Sequence, residues 1–341
     1  MKRRLAGAVL AAALLLAGCS VGSNALPPEY VPGEEERLVV YTSHKEEVWW
    51  PIVKEFEERT GIWVDVVTGG SIELLQRIER ESESPQADVM FGGGVESLEA
   101  YGPYFSPYVC AERDSIQEQF CSPEALWTPF SALPVVLVYN PKLVEPSWLT
   151  AWSDLLDQRF RGEIAFSDPE ISGSSYTGLV TLTYALGGEW DAALQAFAAN
   201  LEGRQLESSG DVLTAVAGGS DWVGVTLEET VLKQIAAGQD LAMVYPADGT
   251  SLVPDGSALV KGAPHGDNAE RFLDFTVSLD VQQMLAQQLY RRSVREDVAP
   301  GGELRPLEEI PLVDYDVSWA SENRDSILMS WAFYLGGEET P

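Results

Sequence analysis

The stretch Leu241-Ala-Met-Val-Tyr-Pro-Ala-Asp-Gly-Thr250 decides how the chain is divided. It begins as an apolar segment with the composition of a buried strand, which Pro246 interrupts. Asp248 then enters a turn at Gly249, and a second extended run follows over residues 257–260. A strand that breaks, presents a carboxylate and resumes is consistent with a chain passing between two lobes. We therefore predict a crossing here, with Asp248 at the edge of a ligand-binding cleft.

Three strand–loop–helix units precede this stretch. Their strands are the apolar runs Leu38–Tyr41, Ile62–Val67 and Ala87–Phe91, and each is followed by a loop rich in Ser, Thr or Gly and then by a helical pattern. Such a series predicts an α/β fold in which parallel strands are covered by helices. Ligands bind sheets of this kind at the carboxyl ends of the strands, where these loops lie.

The pattern of the remaining chain predicts two lobes. The apolar run Pro134–Tyr139 lacks a long helix after it, and we interpret it as the outward crossing. The predicted lobe boundaries are residues 38–135 and 258–341 for lobe one, which is discontinuous, and residues 136–257 for lobe two. The hinge crossings are expected near residues 134–140 and 243–260.

The N-terminal segment has the features of an export signal. Basic residues at positions 2–4 precede an apolar run over residues 6–16, and Leu16-Ala-Gly-Cys19 follows. This order resembles a bacterial lipoprotein signal, which is cleaved before a cysteine that carries lipid. The resemblance implies removal of residues 1–18, an extracytoplasmic location, and anchoring to the membrane by a lipid on Cys19. Residues 19–37, rich in Pro, Gly, Ser and Glu, are predicted to form a flexible tether.

Charge and cysteine content narrow the class of protein. The formal net charge is -31, which excludes nucleic-acid binding through the overall field. The excess of acids is consistent either with solubility in salt or with a cationic ligand. Beyond Cys19, the chain contains Cys110 and Cys121. Because export leads to an oxidising compartment, we predict a disulfide between them, with two buried free thiols as the alternative.

Four stretches resemble signature segments of extracellular solute-binding proteins, the capture components of ABC importers. They are Val40–His44, Ala87–Gly92, Asp168–Thr177 and Val244–Thr250. The later segment Ala269–Ser278 is similar to a helix of the same family. The resemblance covers about residues 38–335 and is closest to the branch of ferric-iron, sugar-phosphate and phosphonate binders.

The resemblance implies a two-lobed periplasmic-binding-protein-like fold, in which each lobe is a mixed sheet flanked by helices and two crossover strands join the lobes. It implies a monomeric, non-enzymatic receptor that needs no cofactor. Such a receptor closes on a small-molecule ligand by hinge motion and delivers it to an ABC permease in the membrane. Docking of the loaded protein on a sensor receptor uses the same fold and is left open.

Three predicted helix starts place hydroxyls and backbone N–H groups at the binding edge: Ser43-His44, Gly70-Ser71 and Ser172–Thr177. A helix start attracts anions, although ordinary helix capping requires the same residue types. Carboxylates after the lobe-two strands, at Glu228, Glu229 and Asp248, are candidates for contacting hydroxyls or an amine. The candidate ligand-binding residues are Ser43, His44, Ser71, Gly93, Ser172, Ser174, Ser175, Thr177, Glu228 and Asp248.

The ligand hypothesis is a small organic anion, a phosphorylated sugar or a phosphonate. Ferric iron is the alternative within the family, with His44 and Tyr245 as candidate metal ligands. The resemblance implies a pair of adjacent tyrosines for iron, and the sequence contains none. The basic segment Arg291–Arg295 is either ion-paired or a phosphate contact. A secreted hydrolase or transferase is the alternative outside the family, but the sequence lacks the nucleophile-elbow, zinc-protease and P-loop motifs.

We expect the substitution Cys19→Ser to move the full-length protein from the membrane fraction to the soluble fraction, because no lipid can then be attached. Labelling of cells with a radioactive fatty acid, followed by fractionation, measures this directly. Cys110→Ser is the matched control and should keep both the label and the membrane location. Fatty-acid label on the Cys19→Ser protein would contradict the prediction.

Overall fold

The structure is a computed structural model that describes residues 32–187, 190–302 and 304–336. Cys19 and most of the predicted tether lie outside the described residues. Within the tether's last part, residues 34–36 form a 3-10 turn, and the first strand begins at Arg37. None of the helices in these ranges is both long enough and apolar enough to cross a membrane.

Strands and helices alternate along most of the chain. The strands are β1 (Arg37–Thr42), β2 (Trp63–Thr68), β3 (Val89–Gly94), β4 (Phe105–Ser106), β5 (Thr128–Tyr139), β6 (Ile164–Ala165), β7 (Val223–Leu227), β8 (Ala242–Val244), β9 (Leu252–Val260) and β10 (Arg292–Ser293). The helices are α1 (Glu46–Thr60), α2 (Ser71–Arg80), α3 (Val95–Ala100), α4 (Gly173–Leu186), α5 (Trp190–Leu201), α6 (Ser209–Gly218), α7 (Glu228–Ala236), α8 (Gly266–Thr276), α9 (Leu279–Gln288), α10 (Val317–Glu322) and α11 (Arg324–Gly336).

The first three strands meet at one edge of the lobe-one sheet. β1 pairs in parallel with β2 and β3, and Thr42 at the end of β1 lies opposite Thr68 and Phe91. Because the strands end at the same level, the loops that lead into α1, α2 and α3 share this edge. β9 then pairs antiparallel with β3, so the lobe-one sheet is mixed.

The helix after β1 shows how the sequence produces these units. Residues Val48, Ile52, Val53 and Phe56 recur at helical spacing, and all four are buried against the sheet. α1 runs without interruption through Pro51 and ends at Gly61, whose φ of 74° is in the left-handed region. The N-terminal capping position is Lys45, two residues after Ser43.

β5 is the strand that both lobes share. Residues Thr128–Pro134 pair antiparallel with β9 of lobe one, whereas residues Val135–Tyr139 pair with β7 of lobe two. The full order is β2-β1-β3-β9-β5-β7-β6, with β10 and β8 also on β5 and β4 on β9. The chain therefore enters lobe two between Pro134 and Val135, inside the predicted crossing.

Lobe one resumes earlier than predicted. β9 begins at Leu252 and pairs with β5 and β3 of lobe one along its length, so residues 252–257 do not belong to lobe two. β8 still pairs with the lobe-two half of β5. The second crossing is therefore the short segment 245–251, rather than the whole of the predicted range 243–260.

The C-terminal helices correct the predicted boundary of lobe one. Ile327, Leu328 and Trp331 of α11 are buried in the core of lobe two, where Trp331 packs against Phe166 at 5.6 Å between ring centroids. The chain returns to this lobe near Leu312, which forms a bridge with Thr250 of the second crossing. The assignment of residues 258–341 to lobe one was wrong because the sequence pattern of a helix does not show which core it covers.

Asp248 lies in the second crossing, but its carboxylate supports the backbone. Its Oδ1 accepts a hydrogen bond from Trp152 N at 2.9 Å, and its Oδ2 accepts one from Ser153 N at 3.2 Å. These donors open the 3-10 turn Trp152–Leu156. The Trp152 indole also donates to Gly249 O at 2.9 Å. Asp248 therefore caps a turn of lobe two, which corrects the prediction that it contacts the ligand.

Cys110 and Cys121 correct a second prediction, because both carry free thiols. Sγ of Cys121 lies 3.6 Å from the carbonyl oxygen of Gln117, and Cys110 is buried in an apolar cluster with Ile116 and Val294. Burial raises the pKa of the Cys110 thiol to about 11. The alternative of two free thiols is the one that the structure shows.

We expect Trp331→Ala to lower the free energy of unfolding by about 3–5 kcal/mol, because it leaves a cavity in the lobe-two core. Met329→Ala on the same helix is the matched control, since Met329 is 72% exposed, and should change stability by less than about 0.5 kcal/mol. Urea denaturation measures both values. Equal, small losses would show that α11 does not complete this core.

We expect Asp248→Ala to destabilise the protein by about 1 kcal/mol, because two backbone N–H groups lose their acceptor. Asp248→Asn retains one carbonyl oxygen and should restore part of this loss. Urea denaturation again provides the measurement. A variant Asp248→Ala as stable as the wild type would contradict the assignment of a capping role.

Candidate ligand-binding site

A cavity of about 220 Å³ lies between the two lobes. The residues that precede the first residue of α1, α2, α4, α6 and α7 all line it: Lys45, Gly70, Ser172, Ser208 and Leu227. Each helix N-terminus carries roughly half a positive charge, so the five termini together contribute roughly 2.5 positive charges at the cavity. The cavity is therefore suited to an anion.

The structure brings most of the sequence-predicted residues to this cavity. Those that line it are Ser43, His44, Ser71, Gly93, Ser172, Ser174 and Thr177. The first four belong to lobe one and the last three to lobe two. Because the loops after β1, β2 and β3 share one edge, residues far apart in the sequence face the start of α4.

Besides Asp248, three predicted residues lie elsewhere: Ser175, Glu228 and Tyr245. Ser175 is buried and hydrogen-bonded to Ser167 inside lobe two. Glu228 is 1% exposed and accepts hydrogen bonds from Arg292 Nε at 2.8 Å and Nη2 at 2.7 Å. The hydroxyl of Tyr245 also donates to Glu228. Neither Glu228 nor Tyr245 lines the cavity, so the buried ion pair with Arg292 corrects the prediction for Glu228.

Arg291 is a charged residue of the cavity that was not among the predicted ligand-binding residues. Its Nη1 donates to Asp255 Oδ2 at 2.7 Å and to Ser131 Oγ at 2.8 Å, within lobe one. Its Nη2 donates to Glu229 Oε1 of lobe two at 3.2 Å. The basic segment around Arg291 is ion-paired, as one of the two interpretations expected, but Arg291 and Arg292 are buried.

The carboxylates around Arg291 respond differently to burial. Burial opposes ionisation of Glu229, but Arg291 and Lys233 together hold the pKa of its carboxyl below the ordinary value. Lys233 Nζ lies 2.8 Å from Glu229 Oε2. Burial raises the pKa of Asp255, and Arg291 offsets only part of this effect. Of the two adjacent glutamates, Glu229 lines the cavity and Glu228 does not.

Lysine usage is a sequence signal that points to the same place. The whole chain has only six lysines, and Lys45 and Lys233 both line the cavity. Lys45 makes no ion pair with any carboxylate in the described ranges, so its ammonium group is available to a ligand. In a chain with 53 acids, an unpaired cation in a cleft is distinctive.

His44 faces the cavity as a neutral ring. Burial, together with the charge of Arg291, lowers its pKa well below the ordinary value. Its Nε2 lies 3.7 Å from Asp255 Oδ2 and has no hydrogen-bond partner among the described residues. His44 therefore offers an unused polar atom to a ligand, and as a neutral ring it adds no positive charge to the cavity.

The geometry does not favour the iron alternative. Tyr245 points to Glu228, away from His44, so the two candidate metal ligands do not share a site. The part of the chain that the structure describes contains no group of three His, Cys, Asp or Glu side chains arranged to hold a metal.

Several contacts join the two lobes across the cavity. Besides the Arg291–Glu229 pair, Gly173 N of lobe two donates to Ser71 Oγ of lobe one at 3.3 Å. Lys233 Nζ lies 3.7 Å from Glu47 Oε1, and Thr177 Oγ1 donates to Glu96 Oε1 at 2.5 Å. The structure thus shows the lobes in contact around the cavity.

Similar proteins have the same architecture. The chain is 27% identical over 301 residues to the iron uptake protein A1 of Synechocystis sp., covering 84% of this chain and 83% of that protein. It is 25% identical over 262 residues to a Salmonella typhimurium periplasmic protein named for 2-aminoethylphosphonate binding, covering 73% and 74% of the two chains.

A solved structure of similar fold holds a sugar phosphate. The periplasmic binding protein AfuA of Actinobacillus pleuropneumoniae, with fructose 6-phosphate bound, superimposes with a TM-score of 0.82 at 25% identity. The match covers 89% of this chain and 99% of AfuA, which confirms the predicted two-lobed α/β fold.

The sequence also matches the family model for bacterial extracellular solute-binding proteins over residues 96–316, more than half of the chain. The relatives and the fold neighbour are binding proteins, as the sequence predicts. The chain belongs to the family of bacterial extracellular solute-binding proteins, the non-enzymatic capture components of ABC importers.

Proposed function

We propose that the ligand is a small organic anion bearing a phosphoryl or phosphonyl group. The observation that carries this proposal is the convergence of five helix N-termini from two lobes on one cavity. Each terminus offers backbone N–H groups that suit an oxyanion. The names of the relatives include a sugar-phosphate complex and a phosphonate binder, which supports the same ligand class.

Side chains add to the backbone donors. Ser71 Oγ accepts from Gly173 N, so its own proton remains for the ligand. Lys45 contributes an unpaired ammonium group. The cavity lining contains three basic and three acidic side chains, so their formal charges cancel: Lys45, Lys233 and Arg291 against Glu207, Glu229 and Asp255. The field of the helix ends therefore decides the sign, in favour of a dianionic group.

Ligand capture follows from the position of the crossings. A ligand between α1 or α2 of lobe one and α4 or α6 of lobe two touches both lobes, and so it favours the closed arrangement. The segments near Pro134–Val135 and 245–251 are the proposed hinges. The contacts of Ser71 with Gly173 and of Arg291 with Glu229 support the closed arrangement, because each joins the lobes at the cavity.

The proposal includes a location and an oligomeric state. The Leu16–Cys19 segment supports a lipid anchor at Cys19 on the outer face of a membrane, next to the permease that receives the ligand. The proposed receptor acts as a monomer, because both lobes that close on the ligand belong to one chain. Docking on a sensor receptor would use the same closed form.

A panel of fructose 6-phosphate, 2-aminoethylphosphonate, spermidine and ferric citrate tests the ligand class by thermal unfolding of residues 20–341. We expect a phosphate or phosphonate to raise Tm, since a ligand at one hundred times its Kd stabilises by about 2.7 kcal/mol. A shift with ferric citrate alone would overturn the proposal, as would a shift with spermidine alone.

The same measurement on Lys45→Gln identifies the contact. Its affinity for the anion should fall roughly tenfold, because a charge-assisted hydrogen bond is lost. Lys54→Gln is the matched control on the same helix, since Lys54 is exposed and pairs with Glu58 at 3.2 Å. Equal losses in both variants would show a diffuse field effect and not a direct contact.

A further inference from the structure

Glu96 is a buried carboxylate to which the proposed function assigns no role. It lies at the start of α3 in lobe one and is fully buried. Its Oε1 accepts hydrogen bonds from Thr177 Oγ1 at 2.5 Å and from the Tyr315 hydroxyl at 2.9 Å. Its Oε2 has no hydrogen-bond partner among the described residues. An acid in this position is costly, so its interactions with the cavity wall need an explanation.

Thr177 connects Glu96 to the cavity. A threonine hydroxyl has one proton, and both groups that Thr177 Oγ1 contacts on the protein side are acceptors: Glu96 Oε1 and Gly173 O, the latter at 3.1 Å. Whichever of them takes the proton, none remains for the ligand. Thr177 lines the cavity, so any hydrogen bond that its hydroxyl makes with a ligand there is one that it accepts.

The backbone at Gly94 brings a second acceptor oxygen close to Thr177 Oγ1. A Cβ atom on Gly94, which lines the cavity, would lie 2.8 Å from Glu96 Oε2 and 3.4 Å from Thr177 Oγ1. The glycine therefore allows the unpartnered carboxylate oxygen to lie directly behind the cavity wall. Two acceptor oxygens, Glu96 Oε2 and Thr177 Oγ1, therefore both lie close to Gly94.

The hydroxyl of Ser71 has the opposite polarity. The Ser71 hydroxyl accepts a hydrogen bond from Gly173 N, so its proton remains available to a ligand. The Thr177 hydroxyl, by contrast, uses its proton to donate a hydrogen bond to Glu96. A Cβ on Gly173 would lie 3.1 Å from Ser71 Oγ and 3.5 Å from Gly94 N, so Ser71 and the backbone beside Glu96 both lie next to the start of α4. An anionic group of the ligand fits beside the Ser71 hydroxyl, and a hydrogen-bond donor of the ligand fits beside the Thr177 hydroxyl.

We propose that Glu96 is a positioning residue that fixes Thr177 as an acceptor, so that the site selects an anion carrying a hydroxyl or ammonium group next to its phosphoryl or phosphonyl group. This inference rests on the proposed function and narrows its ligand class. It predicts that an anion with an alkyl group in place of the donor leaves the buried acceptors unpaired, which lowers its affinity.

The test compares two matched pairs of probes by titration calorimetry. The pairs are 2-aminoethylphosphonate with ethylphosphonate, and glycerol 3-phosphate with propyl phosphate. For each pair, the ratio of Kd values measures selection for the donor. Other acceptors in the cavity contribute to the ratio in the wild type, so the informative quantity is its change in variants of Thr177 and Glu96.

Thr177→Val removes the acceptor at nearly constant volume and should reduce the ratio about five- to tenfold. Thr177→Ser keeps the hydroxyl and should retain the ratio of the wild type. Thr183→Val is the matched control, because Thr183 is a buried threonine of the same helix that bonds within the helix at Val180 O. It should leave the ratio unchanged.

Glu96→Gln tests whether Glu96 acts through Thr177. An amide can donate to Thr177 Oγ1, and the Thr177 proton is then free to turn from Glu96 to Gly173 O or to a ligand in the cavity, so the ratio should fall, but by less than in Thr177→Val. In a Thr177→Val background, Glu96→Gln should have no further effect on the ratio of Kd values. If Glu96 had only a structural role, its substitution would act equally in both backgrounds.

The outcomes separate the two proposals. If phosphates and phosphonates bind but Thr177→Val leaves the ratio unchanged, or if Glu96→Gln acts equally in both backgrounds, the inference about Glu96 is wrong and the proposed function stands. If none of the four probes binds the wild type, both are wrong. A ratio that falls in Thr177→Val and returns in Thr177→Ser supports the inference.

Discussion

The site depends on one geometric constraint, that parallel strands of a sheet end together. Thr42 and Thr68 end β1 and β2 and lie beside Phe91, three residues before the end of β3, so the helices that follow start at the same edge. Every helix start exposes N–H groups, so the partial positive charges of the helix ends accumulate at this edge and add to the charge of Lys45. This explains how a chain with a net charge of -31 can contain a cavity suited to an anion.

Arg291 connects this edge of lobe one to lobe two. Its guanidinium joins Asp255 of lobe one to Glu229 of lobe two, and these charges are almost entirely buried. A guanidinium with donors in a fixed planar arrangement can satisfy both carboxylates at once, which a lysine could not do as well. Burial, together with the charge of Arg291, lowers the pKa of His44, so the positive charge of the cavity comes from Arg291, the lysines and the helix ends.

The sequence predicted the α/β class, the shared edge and the family, because strand periodicity and loop composition are local properties. It also predicted that Ser43, Ser71 and Ser172 occur at helix starts, and the structure shows that these starts face one another across the cleft. It could not show that Asp248 caps a turn or that Glu228 pairs with Arg292, because both depend on partners distant in the sequence. Glu229 and Glu228 are adjacent and chemically equal, and only the rotation of α7 decides which one reaches the cavity.

The return of α11 to lobe two has a consequence for biosynthesis. Trp331 packs against Phe166 and Phe197, so the core of lobe two lacks one of its largest side chains until the last part of the chain has been made. Contacts of such high sequence separation slow folding. A chain that cannot complete its second lobe early remains unfolded for longer after synthesis begins, which is the state in which a polypeptide can be threaded through a narrow export channel.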